Sequence, residues 1–139
     1  MVGFRRGRYL ARFAETPQDV ERTKRLRTLC FRGTEDGLDQ DQFADACRHV
    51  MVEDIASGDL ICCFRLLPFE NGTTIGGSYA AQFYDLDLLQ AFDGRMVEMG
   101  RFCVHPDVMD PDVLRVAWAA MTEYVDSEQV ELLFGCSSF

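Results

Sequence analysis

The last third of the chain alternates between strand-like and helix-like patterns, and this order restricts the fold more than any other feature. Residues 95 to 104, RMVEMGRFCV, form an apolar run typical of a strand, and VELLFG is a second such run from residue 130. Between them, Asp110 can cap a helix that starts at Pro111. Core-forming residues recur there at helical spacing, at Val113, Val116, Ala117, Ala120, Met121 and Tyr124. A β-α-β unit predicts two parallel strands joined by a right-handed crossover.

Two charged residues interrupt the apolar run at 95 to 104. Simple alternation places Glu98 and Gly100 on one face of this strand, and Met99 and Arg101 on the other. A carboxylate in such a place can serve as a general acid or base. The alternative interpretation is a buried ion-pair network that only fixes the sheet.

The preceding segments predict one α+β domain, because 139 residues are about the size of a single ordinary domain. The predicted elements are a strand at 8 to 14, a helix from Pro17 that Thr16 caps and Gly33 ends, a short helix from Gln42 to Cys47, a hairpin at 49 to 68 and a short helix at 85 to 93. The last predicted strand is apolar, and no further strand follows it in the sequence to pair with its outer edge. We therefore expect either that another molecule covers this edge or that the single domain at 1 to 139 is incomplete at its C-terminus.

The charge distribution is uneven. The whole chain has 14 Lys and Arg against 23 Asp and Glu, a net charge of −9 that repels nucleic acid. Residues 1 to 32 nevertheless contain nine basic residues and three acidic ones, and 9 − 3 gives +6. This segment predicts an acidic partner or an anionic membrane surface, and solvated surface arginines are the alternative.

The cysteines and histidines do not predict a metal site. The six cysteines lack C-x2-C spacing and a secretory start, so we interpret them as buried thiols, with Cys62 and Cys63 on opposite faces of a strand. His49 is interpreted as a core residue, and His105 lies at a strand end. No apolar run approaches the roughly 18 residues of a spanning helix, so a cytoplasmic protein is expected, with the inner membrane as a candidate surface contact.

Six stretches in this order resemble the GNAT acyltransferase fold. They are RLRTLCF at 25 to 31, LDQDQFADACRHVMV at 38 to 52, CFRLLP at 63 to 68, SYAAQFYDL at 78 to 86, VEMGRFCVHPD at 97 to 107 and LLFGCSSF at 132 to 139. Within that fold they are similar to the ornithine-lipid-type N-acyltransferases, sometimes labelled hemolysin-like, which are related to acyl-homoserine-lactone synthases. The resemblance implies a mixed central sheet with helices on both faces, whose C-terminal strands are missing from this chain.

The resemblance implies an enzyme that transfers a fatty acyl group, often 3-hydroxylated, to the α-amine of an amino acid such as ornithine. The donor would be the phosphopantetheine thioester of acyl carrier protein, or acyl-CoA, with no permanently bound cofactor. The carrier protein and the amino acid are therefore the expected partners, and a second copy of the chain is a further candidate. The basic N-terminal segment would attract the acidic carrier protein.

The same resemblance implies roles for individual residues. Glu98 and Arg101 would be the acid–base pair on the central strand. The acceptor would be bound by Arg27, Phe31, Asp41, Phe43 and Arg65. The pantetheine groove would lie where the strands at 95 to 104 and 130 to 135 splay apart, and it would be lined by Phe102, Cys103, Val104, His105, Phe134 and Gly135. A thiol within an apolar strand is expected to be inert rather than nucleophilic.

Three other functions stay open, and two sequence features bear on them. The three functions are those of an acetyl-CoA-dependent GNAT that acts on a small amine, an autoinducer synthase similar to the acyl-homoserine-lactone synthases, and a non-catalytic relative that binds acyl carrier protein. The segment VHPDVMDPDV lacks a glycine-rich pyrophosphate loop and is acidic, which favours a carrier protein over free CoA. The family's usual F-D pair is absent, because Ala44 follows Phe43, and so is the tryptophan of the lactone synthases between Phe31 and Asp41.

Overall fold

The structure is a computed structural model that describes residues 3 to 32 and 46 to 135. One six-stranded sheet runs through these residues in the order β1 to β6. The strands are β1 Phe4–Arg6, β2 Tyr9–Phe13, β3 Arg48–Asp54, β4 Leu60–Phe69, β5 Met96–Val104 and β6 Leu132–Phe134, and the helices are α1 Pro17–Arg32 and α2 Asp112–Ser127. Three 3-10 turns, Gly72–Gly77, Ala80–Gln82 and Asp87–Leu89, lie between β4 and β5.

The sheet is mixed, as the β-α-β pattern predicted. Strands β1 to β5 pair antiparallel in succession, whereas β5 and β6 pair parallel across the α2 crossover. The adjacent cysteines of β4 mark its two faces. Cys62 belongs to the core that α2 covers, and Cys63 contacts Leu26 of α1 in a separate cluster. The helices therefore cover opposite faces of the sheet, and the predicted architecture is confirmed.

Helix α2 is held by its apolar stripe and by a contact at its start. All six positions predicted from the helical spacing are buried. The hydroxyl of Tyr9 on β2 donates to Asp110 Oδ2 at 2.6 Å, and Asp110 Oδ1 accepts from the backbone N–H of Asp112 at 3.0 Å. The hydrogen bond to Asp110, together with burial, raises the pKa of Tyr9 to about 12. A side-chain contact thus joins the second strand to the last helix.

Helix α1 begins as the sequence predicted. Thr16 Oγ1 accepts from the backbone N–H of Asp19 at 3.1 Å, and such a cap is worth about 1 kcal/mol. The Asp19 carboxylate contacts Arg12 of β2, with Arg12 Nη1 2.8 Å from Asp19 Oδ2. Hydrogen bonding to that guanidinium lowers the pKa of Asp19 to about 2, although burial acts in the opposite direction. The cap and this ion pair attach the start of the helix to the sheet.

Several local predictions differ from the structure. Strand β1 was not predicted, and it forms a hairpin with β2 through Gly7, which has a φ of 59° that favours glycine. The helix expected at 85 to 93 is wrong, because only the 3-10 turn Asp87–Leu89 forms there. Residues 85 to 93 mix polar and apolar side chains and place too few apolar residues at helical spacing to form an α-helix. The predicted helix from Gln42 to Cys47 falls largely outside the described residues.

The basic N-terminal segment is partly neutralised by the fold itself. Arg8 pairs with Asp54 at 2.6 Å, and Arg12 pairs with Glu53 at 2.6 Å in addition to its contact with Asp19. Further along α1, Arg22 and Arg25 also pair with carboxylates. Arg5 and Arg6 are exposed on the edge strand β1. Part of the positive charge of this segment is therefore engaged in ion pairs within the protein, and the acidic partner stays a prediction.

No helix in residues 3 to 32 or 46 to 135 combines the length and apolarity needed to cross a bilayer.

Candidate functional site

A β-bulge in β5 is the feature around which the site is built. Cys63 of β4 pairs with Cys103, and Arg65 pairs with Gly100. Phe64 is the one β4 residue between Cys63 and Arg65. It therefore faces two residues of β5, Arg101 and Phe102. Arg101 adopts a φ of 52°, which is unusual for a side chain other than glycine. A bulge adds one residue and changes the face to which the following side chains point.

The bulge corrects the prediction that Glu98 and Arg101 lie on opposite faces. Glu98 accepts hydrogen bonds from the backbone of the segment at 78 to 82, and the guanidinium carbon of Arg101 lies 5.4 Å from the ring centroid of Tyr79 in that segment. The same guanidinium lies 5.8 Å from the ring of Phe31 on α1. Strict alternation fails because Arg101 itself belongs to the bulge, and its positive φ departs from regular strand geometry. The acid and the arginine are brought to the same side of the sheet.

Glu98 is buried and tightly held. Its Oε1 accepts from the backbone N–H of Tyr79 at 2.8 Å, and its Oε2 accepts from that of Ala80 at 2.7 Å. The side chain is 3% exposed. Each carboxylate oxygen has two lone pairs, so these two bonds use one on each oxygen. Glu98 thereby fixes the start of the 3-10 turn Ala80–Gln82 next to the bulge.

Arg65 reaches the same place from β4. It is 3% exposed, and its guanidinium carbon lies 5.7 Å from the ring centroid of Tyr79. The side chain runs over Gly100 of β5, where a Cβ would lie 3.6 Å from Arg65 Nε. Arg65 and Arg101 therefore approach one aromatic ring from neighbouring strands.

Arg27 of α1 and His49 of β3 contact each other in the interior of the protein. Arg27 is fully buried, and its Nη1 lies 3.2 Å from His49 Nδ1. Because a guanidinium can only donate, Nδ1 is the acceptor and the imidazole proton belongs on Nε2. His49 also pairs with Arg65 in the β3–β4 ladder. The interpretation of His49 as a core residue is confirmed.

The predicted acceptor-binding residues divide into two groups. Phe31 lies beside Arg101, and Arg65 and Arg101 share the ring of Tyr79, whereas the contact of Arg27 is with His49. Asp41 and Phe43 lie outside the described residues, so their predicted roles stay predictions. Sequence reasoning assigned no role to Tyr79, which contacts both site arginines. Its only signal was its place in the stretch SYAAQFYDL, in a segment that has no regular period.

The opening expected between β5 and β6 stays a prediction, because the residues after position 135 lie outside the described part of the chain. The parallel ladder joins Met96 to Leu132 and ends at Glu98 and Phe134. Gly135 still lies against the Met99 carbonyl, so closely that a Cβ there would overlap it. Phe134 packs on Phe69 with ring centroids 6.1 Å apart. Phe134 and Gly135 therefore lie within or directly beside the paired part of the two strands.

Strand β5 continues past this ladder, and its remaining residues include the other predicted groove positions. Within residues 3 to 32 and 46 to 135, the β5 segment 100 to 104 has ladder partners only on its β4 side. Phe102 stacks on Phe64 at 5.7 Å, and the His105 N–H donates to the Ile61 carbonyl at 2.7 Å. Phe102, Cys103, Val104 and His105 therefore lie beyond the described β5–β6 ladder, and their role in a groove stays a prediction.

The cysteines near the bulge are buried and form no disulfide with one another. Cys103 Sγ lies 3.6 Å from Cys63 Sγ, and both side chains are buried. Contact with Cys30 lowers the pKa of Cys103, but contact with Cys63 and burial raise it by more, and the net pKa is raised. Among the described residues, no group of three His, Cys, Asp or Glu side chains is placed to hold a metal ion.

Comparison with known protein families identifies the family to which this chain belongs. Residues 27 to 119 match the model of the acetyltransferase (GNAT) domain. The chain belongs to the GNAT family. The matched range includes the bulged strand, Glu98, Arg27, Arg65 and Arg101.

Two curated relatives are similar to this GNAT domain in sequence. An L-ornithine N(alpha)-acyltransferase of Rhodobacter capsulatus is 30% identical over 94% of the chain, and one of Brucella abortus is 29% identical over 73% of it. The chain spans 56% of the length of the first and 38% of the second. The resemblance drawn from the sequence stretches is confirmed.

Solved structures show the same fold. The N-acyl amino acid synthase FeeM from uncultured soil microbes matches 91% of this chain and 70% of its own, with a TM-score of 0.65 at 13% identity. The AHL synthase LasI matches 91% of this chain and 71% of its own, with a TM-score of 0.66 at 14% identity. At these identities the likeness establishes the GNAT fold.

Proposed function

We propose that this GNAT domain transfers a fatty acyl group, of the 3-hydroxyacyl type, from acyl carrier protein to the α-amine of an amino acid such as ornithine. One observation carries the proposal. A buried carboxylate, Glu98, and two arginines, Arg65 and Arg101, lie together beside a bulged strand whose backbone extends past its ladder with β6. The names of the two curated relatives support ornithine as the acceptor.

The arginines suit the carboxylate of an amino-acid acceptor. A guanidinium can bind a carboxylate through two parallel hydrogen bonds, and two guanidiniums are present at this place. A simple alkylamine offers no carboxylate to them. We therefore expect discrimination for amino acids over amines that lack a carboxyl group.

Glu98 suits the role of proton acceptor from the attacking amine. An α-amine is mostly protonated at neutral pH, and it must lose a proton to attack a thioester. The two backbone N–H groups that bond Glu98 hold its carboxylate in one orientation, and each oxygen has a second lone pair for the amine proton. The thioester carbonyl would lie along β5, where backbone N–H groups at the bulge can stabilise its developing negative charge.

The start of α2 supports a carrier protein as the donor. The first backbone N–H groups of a helix are a common site for phosphate. Here Asp110 already accepts from one of them, the N–H of Asp112, and adds a negative charge beside it. A second carboxylate, Asp112, pairs with Arg115 at 2.6 Å. Such a helix start is unfavourable for the pyrophosphate of free CoA.

One assay tests the proposal and separates its alternatives. The protein is incubated with 3-hydroxyacyl carrier protein, acyl-CoA or acetyl-CoA and a panel of amino acids and small amines, and the products are read by mass. An N-acyl amino acid formed from the carrier protein supports the proposal. An acetylated amine, an acyl product formed only when homoserine lactone is supplied as the amine, or carrier binding without any amide product would each overturn it in favour of the corresponding alternative.

Arg5 and Arg6 are the basic residues proposed to attract the carrier protein. Both are exposed on β1, whereas Arg8 and Arg12 are held in ion pairs. Arg5→Glu is expected to weaken carrier binding about three- to tenfold at low salt and to have little effect at high salt. Arg95→Glu changes the net charge equally at the start of β5 and serves as the control. Equal effects of the two reversals would show that net charge alone is responsible.

A further inference from the structure

Tyr79 holds a central place between the two site arginines. The guanidinium carbon of Arg101 lies 5.4 Å from its ring centroid, and that of Arg65 lies 5.7 Å from it. The ring of Phe83 is a third neighbour, with centroids 5.3 Å apart. One half-buried aromatic ring thus contacts a cation on each of two adjacent strands.

The position of this ring is set by the backbone of its own segment. The N–H groups of Tyr79 and Ala80 both donate to Glu98, and the Ala81 N–H donates to Ser78 Oγ at 3.1 Å. Ser78 is buried, and its own N–H donates to the Ile75 carbonyl at 3.0 Å. These bonds fix the segment against β5 although it has only a single 3-10 turn.

The ring offers the two cations a common attraction. The face of an aromatic ring is electronegative and attracts a guanidinium within about 6 Å of its centroid. Two like charges on neighbouring strands repel each other, and the repulsion is stronger where water is excluded. A ring that attracts both guanidiniums limits the orientations that each can adopt.

We propose that Tyr79 is a positioning residue that orders Arg65 and Arg101 to receive the carboxylate of the amino-acid acceptor. This inference rests on the proposed function, because it assigns the acceptor's carboxylate to the two arginines. The ring, and not the hydroxyl, carries the role. The effect of a substitution should therefore fall on acceptor binding and should depend on whether the new side chain is aromatic.

Kinetics of Tyr79→Leu and Tyr79→Phe test this inference. Tyr79→Leu is expected to raise the KM for the amino acid about tenfold and to change the KM for the acyl donor less than about twofold. Tyr79→Phe, which keeps the ring, should stay within about threefold of the native acceptor KM. Tyr84→Leu removes an exposed tyrosine from the same segment and is the matched control, with less than about a twofold effect on either KM. Equal acceptor KM values for the two Tyr79 variants, or an equal rise in the donor KM, would overturn the assignment.

A measurement without turnover separates this inference from the proposed function. If no acceptor gives an amide, the proposed function fails, and the contact is then tested by the unfolding equilibria of Tyr79→Leu, Arg101→Met and the double variant. Coupling between the ring and the guanidinium should make the double variant's unfolding constant differ at least about threefold from the product of the single effects. Independent effects would refute the ordering of Arg101 by Tyr79.

Discussion

Replacing Glu98 with Gln separates the two things this residue is proposed to do. The glutamine amide keeps one oxygen as an acceptor and turns an NH2 group toward one of the two backbone N–H groups that Glu98 now bonds. One of these two backbone N–H groups, that of Tyr79 or that of Ala80, then faces another donor inside the protein. The other N–H bonds a neutral oxygen in place of a charged one. Hydrogen bonds to charged groups are worth about 1.5–3 kcal/mol, so we expect a loss of about 2–4 kcal/mol in the free energy of unfolding.

This loss leaves a folded protein, because typical domains are stable by about 5–15 kcal/mol. Urea unfolding followed by circular dichroism measures it. Glu21→Gln is the matched control, since Glu21 is half-exposed and its ion pair is with Arg25 on the same helix at 3.0 Å. An exposed pair of this kind is worth about 0.3–0.5 kcal/mol. A loss below about 1 kcal/mol for Glu98→Gln would refute the anchoring argument.

Turnover of the same folded variant tests the role of Glu98 as a base. Loss of a general base lowers kcat by about 10²–10⁴-fold, and this is the result expected for Glu98→Gln. A fall in kcat of less than about tenfold, accompanied by the stated loss of stability, would leave Glu98 as an anchor and remove it as the base. The two readouts therefore address different claims about one carboxylate.

Three further predictions concern ionisable groups. The pKa of Asp19 is lowered from 3.8 to about 2, chiefly by its contact with Arg12, so its contribution of about 2 kcal/mol is present above pH 4 and lost as the pH falls through 2. Acid titration of unfolding should show this loss, and Arg12→Met should reduce it to less than about half. The pKa of Tyr9 is raised from 10 to about 12 by Asp110, so stability should fall as the pH rises from 10 through 12, and Tyr9→Phe should cost about 1–2 kcal/mol at neutral pH while removing this alkaline loss. Cys103 should resist a thiol reagent in the folded protein and react promptly in urea, because its raised pKa and burial disfavour the thiolate.

Each of these predictions has a clear contrary result. An acid-titration slope that is the same with and without Arg12 would show that Asp19 is not stabilised by that guanidinium. A Tyr9→Phe protein that retains the alkaline loss would assign the loss to another group. Fast labelling of Cys103 without denaturant would show that β5 opens locally at the bulge.

The regular elements were predictable because each follows from spacing along the chain. The stripe from Val113 to Tyr124 repeats at helical spacing, so it had to face a core, and it does. The β-α-β order likewise required the parallel pairing of β5 with β6. Local chemistry was equally clear at Thr16, whose hydroxyl caps α1 as expected. These features depend on residues that are close in sequence.

The grouping of the site was not predictable, because it depends on contacts between residues far apart in sequence. Alternation separated Glu98 from Arg101, and only the β4–β5 register shows the extra residue that reverses this. Tyr79 gained its place through a carboxylate 19 residues away along the chain. Residue types and local periods thus determined the fold class and the chemistry present. Tertiary hydrogen bonding decided which of those groups meet, because a bulge and an irregular turn have no sequence period of their own.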